Sequence, residues 1–213
     1  MLSSYIGNGG GVVMQTKYGI ILSYEEMFAR AVATRMIIMK PLSVWHLLIP
    51  FVFAFDFFQR KKDTEIFARN FLFTKKLALD AAVAINQGED RQRQLDRIES
   101  KTRDRLISQK LYSWGIHQGQ VKGVNLLINH YSKLLEVEGD NYQSLVKNVY
   151  QTQDNYEAFL HQLTAIEKEI DRAVIERLGE TAVIVESMLT KQKLVDEMRT
   201  KGVSKFFLEA REG

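Results

Sequence analysis

Between Met36 and Phe58 the chain reads MIIMKPLSVWHLLIPFVFAFDFF, its most apolar and aromatic stretch. From Pro41 to Phe58 there are 18 residues, of which only Ser43, His46 and Asp56 are clearly polar. A helix needs about 20 apolar residues to cross a hydrocarbon core of roughly 30 Å, so this length sits at the lower margin. Starting instead at Met36 takes in Lys40, whose ammonium would have to reach back to the headgroups. Pro50 interrupts the middle, because its ring removes a hydrogen-bond donor and collides with the preceding turn. Phe51, Phe53, Phe55 and Phe57 alternate, which aligns them on a strand but spreads them around a helix. A helix that is apolar on every side lies either in lipid or in a protein core. Those two destinations define two readings of the protein.

The flanking charges favour lipid. Arg30, Arg35 and Lys40 precede the stretch, and Arg60, Lys61 and Lys62 follow it. A single span concentrates Lys and Arg on its cytoplasmic side. Cations on both sides predict a bent, one-sided insertion about Pro50, with both ends on the cytoplasmic face. The predicted membrane-contact residues are Lys40, Trp45, Phe51, Phe53, Phe55, Phe57, Phe58, Arg60, Lys61 and Lys62. Trp45 and the cations would sit at headgroup level against anionic lipid. His46 and Asp56, about 15 Å apart along a continuous helix, would meet as a neutralising pair if the segment bends at Pro50. The competing reading makes the same segment the central core helix of a soluble bundle.

Upstream, Ser23 stands three residues before Glu26, the spacing of a capping box. It predicts a helix from Ser23 to about Met39, where Pro41 discourages continuation. Residues 1–22, with Gly7, Gly9, Gly10 and Gly11, read as a flexible tail or a weak hairpin pairing Val12-Val13 with Ile20-Ile21. The glycines lack the strand-to-helix context of a phosphate-binding loop.

Downstream, Asp63 or Thr64 caps a helix to about Asn86, with Lys75, Lys76 and Asp80 on its polar side and Gly88 beyond its end. Glu89 to Lys110 holds 5 acidic and 7 basic residues. Leu95, Ile98, Thr102, Leu106 and Gln109 form a thin seam there, which predicts a solvated helix with one narrow contact stripe. A turn is expected at Gly115–Gly119, then a helix to about Glu138 and a second turn at Gly139-Asp140.

Tyr142, Val149, Tyr156, Leu163 and Ile170 then recur every seven residues. Leu145, Thr152, Phe159, Ile166 and Ala173 follow three positions after each. This heptad pattern predicts a single helix from Asn141 to Leu178, on the order of 55 Å long. Val146, Leu160 and Val174 widen the stripe toward bundle packing. Gly179 ends that helix, Thr181 caps a last one to about Arg199, and Gly202 breaks again before the apolar tail VSKFFL.

The expected fold is all-α: an elongated helical bundle with a long heptad-bearing helix and an apolar N-terminal helical segment. The chain divides into a tail (1–22), an amphipathic helix plus anchor or core segment (23–62), a helical bundle (63–200) and a C-terminal tail (201–213). With 46% hydrophobic and 26% charged residues the 213-residue chain has the composition of a folded protein. The absence of cysteine excludes disulfides, thiol nucleophiles and thiolate metal sites. A net charge of +3 is too small to argue for nucleic acid. No Walker motif, nucleophile elbow or HExxH occurs, and Glu-x-x-His, the di-metal bundle signature, is missing. His130, Glu157 and His161 are the only residues that suggest a metal site, and no cofactor is expected. The functional expectation is a non-enzymatic, membrane-associated helical scaffold, cytoplasmic and peripheral or monotopic on the inner face of the membrane. Its partners would be the membrane surface and a protein partner or a second copy. The alternatives are a soluble helix-bundle interaction protein, with the apolar segment as core helix, and a metal- or ligand-binding bundle.

Overall fold

A computed structural model describes residues 8–39 and 60–208, and every regular element among them is a helix: α1 (Asn8–Met39), α2 (Arg60–Asn86), α3 (Arg91–Ser108), α4 (Trp114–Glu136), α5 (Tyr142–Tyr150), α6 (Gln153–Leu178) and α7 (Ala182–Leu208). The apolar segment from Lys40 to Gln59, including the His46–Asp56 pair, lies outside the described residues.

Helix α1 begins well before the expected cap, so Ser23 is an exposed mid-helix residue and residues 8–22 are neither tail nor hairpin. Burial explains the difference. Ile21 is fully buried, and Lys17, also buried, donates to the Leu135 carbonyl at 3.2 Å. Tertiary packing of this kind outweighs the weak helix propensity of a glycine-rich start.

Helix α2 starts at Arg60, one turn ahead of Asp63 and Thr64, and runs antiparallel to α1. The Tyr18 hydroxyl donates to Asp80 at 2.8 Å, Glu25 pairs with Lys75 at 2.5 Å, and the Phe28 and Phe71 rings lie 6.1 Å apart. Rising numbers on one helix meet falling numbers on the other. At the far end of α2, Gly88 adopts φ +96°. Its N–H bonds to the Ile85 carbonyl and that of Glu89 to the Ala84 carbonyl, both at 2.9 Å, closing a Schellman motif. Asp90 caps α3 by accepting from the Arg93 amide at 2.7 Å. Ile98, Thr102 and Leu106 form the buried seam of α3, with Leu95 and Gln109 half-buried beside it.

Helix α4 is the hub, packing on α1, α2, α3, α5 and α6. The turn expected at Gly115–Gly119 falls earlier, where Lys110 takes φ 58° and Ser113 accepts from the Ile116 amide at 3.2 Å. Gly115, Gly119 and Gly123 lie four apart inside the helix, on the face toward α6. A methyl group at Gly119 would fall 2.6 Å from Cγ1 of Ile170; at Gly115 it would lie 3.2 Å from Ala173 and at Gly123 3.5 Å from Ile166. These glycines admit a close neighbour rather than breaking the helix.

The long heptad helix is divided. Gln151 takes φ 62°, separating α5 from α6. Thr152, read from the heptad as a seam position, is exposed and instead caps α6 by accepting from the Asn155 amide at 3.3 Å. Asn155 Nδ2 donates back to the Tyr150 carbonyl at 2.9 Å. Such local side-chain bonds offer the backbone an alternative to the helical ladder. Tyr142, Tyr156 and Leu163 are buried while Val149 and Ile170 are half-buried, all within the one bundle. Helix α7 passes through Gly202 without a break, because Val203 and Phe206 are buried and Phe206 packs on Tyr24, Tyr142 and Tyr156.

The glycine stripe predicts a graded mutational response. Gly119→Ala should destabilise the fold by about 1–3 kcal/mol, the usual cost of overpacking. Gly123→Ala, with ordinary contact distance available, should be neutral or stabilising by up to about 1 kcal/mol through helix propensity. Gly115→Ala should fall between them. Urea unfolding followed by circular dichroism measures all three, and equal effects would contradict the packing described.

Candidate functional site

Antiparallel pairing of α1 and α2 puts Met39, where one helix stops, at the same end of the bundle as Arg60, where the next begins. The α3–α4 corner lies at that end too. Met36, Phe67, Leu106, Leu111 and Ile116 share one buried cluster. Arg105, near the end of α3, donates to Asn70 at 2.8 Å and lies 3.8 Å from the centre of the Phe73 ring. Arg177 donates to the Lys110 carbonyl at 3.2 Å, bringing in the end of α6.

Around this corner three large apolar side chains face outward: Ile107 is 56% exposed, Tyr112 37% and Trp114 69%. Arg35, Arg103 and Lys110 are exposed nearby, as are Glu65, Asp104 and Glu176, so the described charges here are mixed. Of the predicted membrane-contact residues, Lys40, Trp45, Phe51, Phe53, Phe55, Phe57 and Phe58 lie outside the described residues, and Arg60, Lys61 and Lys62 form the first turn of α2. The exposed corner escaped the sequence reading. Its one signal was Tyr112 and Trp114 beside a turn.

The interior carries charge as well. Glu25 accepts from Lys75 on one oxygen and from the Tyr131 hydroxyl, at 2.8 Å, on the other. The Lys75 ammonium also lies 5.0 Å and 4.9 Å from the centres of the Phe28 and Phe71 rings. Burial and the Glu25 carboxylate push the Tyr131 phenol well above its ordinary range. Lys75, expected on the polar side of its helix, is buried with its partner. Arg199 grips Glu167 with two bonds of 2.7 Å and reaches Thr164 at 3.0 Å. Burial alone would raise the Glu167 carboxyl, but the guanidinium prevails and holds it below the usual carboxylate range. Asp171 pairs with Lys191 and accepts from Gln192 at 2.9 Å. Buried charges require such partners in a low-dielectric interior.

The His130, Glu157 and His161 set does not form a metal-binding group. His130 is buried, with Nδ1 2.7 Å from the Tyr150 hydroxyl, Nε2 3.1 Å from that of Tyr142, and its ring stacked 4.2 Å from Phe159. Both nitrogens are occupied, which leaves none to ligate a metal. Burial, reinforced by Lys75 and Lys133, pushes its pKa down to about 3. Glu157 accepts from Gln153 at 2.9 Å, and His161 is exposed.

Comparison with known protein families, curated proteins and solved structures yields no match.

His130 makes stability depend on pH with a definite sign. Above its ordinary pKa of 6.5 the imidazole is neutral in both states. Below that, the unfolded chain takes up a proton that the folded chain refuses until about pH 3, so stability is lost as pH falls through this window. The loss between pH 7 and pH 5 should be about 2 kcal/mol from this group. His130→Gln should lose that much less over the same interval in urea unfolding. An unchanged slope would assign the pH dependence to other groups.

Proposed function

We propose that this chain is a non-enzymatic, membrane-associated helical scaffold anchored from one end of its bundle. The observation that carries the proposal is the antiparallel α1–α2 pairing, which brings the two basic flanks of the Pro41–Phe58 segment to the same end. An 18-residue apolar stretch entered and left from one side suits a bent, monotopic insertion rather than a span with flanks on opposite faces. Exposed Ile107, Tyr112 and Trp114 at that end add support, since aromatic rings favour the interface between water and hydrocarbon. Lys40, Arg60, Lys61 and Lys62 would supply attraction to anionic headgroups on the inner membrane face. Among the described residues no helix is long and apolar enough to cross a membrane. The helices left at the surface would serve as the scaffold's platform for a protein partner or a second copy.

Flotation with phosphatidylglycerol-containing vesicles tests the anchor. The full chain should rise with the vesicles, less so in high salt. A variant with residues 41–58 replaced by a short Gly/Ser linker should stay at the bottom while keeping its helical circular dichroism and cooperative melt. A full chain that does not float removes the anchor. A linker variant that unfolds supports the soluble reading, with the segment as core. Separately, Trp114→Ser and Ile107→Ser should each reduce vesicle binding roughly threefold to tenfold, the interfacial cost of losing one large apolar side chain. Unchanged binding would remove this corner from the contact surface.

A further inference from the structure

A second site lies inside the bundle. Helices α2, α4, α6 and α7 enclose a partly open cavity of about 170 Å³. Phe67, Phe71, Val124, Leu127, Leu163 and Ile170 supply most of its apolar wall. Most of its charged lining residues have partners: Lys75 bonds to Glu25, Lys191 to Asp171 and Glu167 to Arg199, and Asp196 accepts from Thr164 at 3.4 Å, while Lys168 is exposed to solvent. Gln120 differs. It lines the cavity, is 4% exposed, and its Oε1 has no hydrogen-bond partner. A buried acceptor left unpaired is destabilising, and a donor brought to it recovers that loss.

Volume and chemistry together restrict the ligand. An apolar cavity of about 150 Å³ accommodates a single benzene-sized molecule, so this one takes a body of similar bulk. Because every charge in the wall except the solvent-exposed Lys168 is matched within the protein, the unmet valence of the buried wall is neutral, and an ionic ligand held there would have to break an existing pair. We propose that the cavity binds a small neutral molecule with an aromatic or branched apolar body and one hydroxyl or amine hydrogen, which it donates to Gln120. A site built around a buried polar group discriminates against an analogue that cannot pair with it. The proposal does not depend on the membrane reading, since none of the exposed residues Ile107, Tyr112 and Trp114 lines the cavity.

Phenol and toluene, matched in size and differing in the donor, are the probes. Methyl NMR titration of the full chain should show saturable shifts at Val124, Leu127 and Leu163, with phenol binding about tenfold more tightly than toluene, as one recovered hydrogen bond allows. In Gln120→Leu the two should bind within about twofold of each other, the hydrogen-bond preference having gone. Equal affinities in the unmodified chain would overturn the proposal, even if the variant fails to fold. So would shifts confined to surface methyls, or a phenol preference that survives in Gln120→Leu. Failure of both probes to shift these methyls would assign the cavity to water.

Discussion

The Glu25 carboxylate, buried and shared between Lys75 and Tyr131, is the constraint on which the rest of the bundle turns. It joins α1, α2 and α4 at a single point. Such a pair is a weak source of net stability, because desolvating two ions offsets much of their attraction. Separating the partners, however, leaves an uncompensated charge in the interior, which costs about 3–5 kcal/mol. The pair therefore acts on register. A sliding of α1 along α2 by one turn would strand Glu25 beside apolar side chains, so only one alignment of the two helices is tolerated. That alignment puts Met39 and Arg60 at one end. The placement of the apolar segment's flanks, central to the proposed function, thus rests on an ion pair far from them along the chain.

Around this point the bundle combines two kinds of packing. On one side of α4, glycines let α6 approach until Ile170 fills the space a side chain would take. On the other, bulky aromatic residues gather: His130, Tyr142, Tyr156, Phe159 and Phe206 stack and bond to one another. A neutral His130 between two tyrosine hydroxyls satisfies polar atoms that would be costly if left alone. The break at Gln151 belongs to this arrangement. It ends α5, whose first and last residues, Tyr142 and Tyr150, both bond to His130.

The periodic parts of the fold were readable from the sequence for local reasons. The ends of α2 at Asn86 and α6 at Leu178, and the caps at Asn141 and Thr181, follow from Gly88, Gly179 and short polar side chains. The apolar face of α4, from Val124 to Leu135, is buried as its spacing predicts. The errors share a cause. Gly115, Gly119 and Gly202 read as breaks because glycine has low helix propensity, yet each sits where neighbouring helices make a helix worthwhile. Residues 8–22 read as tail for the same reason. Thr152 fitted a heptad, but its hydroxyl serves as a cap.

Sequence by itself determined that this is an all-helical chain with one doubly basic-flanked apolar segment, because periodicity, proline placement and charge are properties of neighbours along the chain. Only the tertiary structure decided which polar residues are interior. Lys75 and its neighbour Lys76 are alike in sequence, but Lys75 lies under Phe28 against Glu25 while Lys76 meets Asp80 at the surface. The tertiary structure also decided that Met39 and Arg60 lie at one end of the bundle, which corner exposes Trp114 and where Gln120 is left unpaired. Each depends on contacts between residues far apart in the chain, and local spacing carries no information about those.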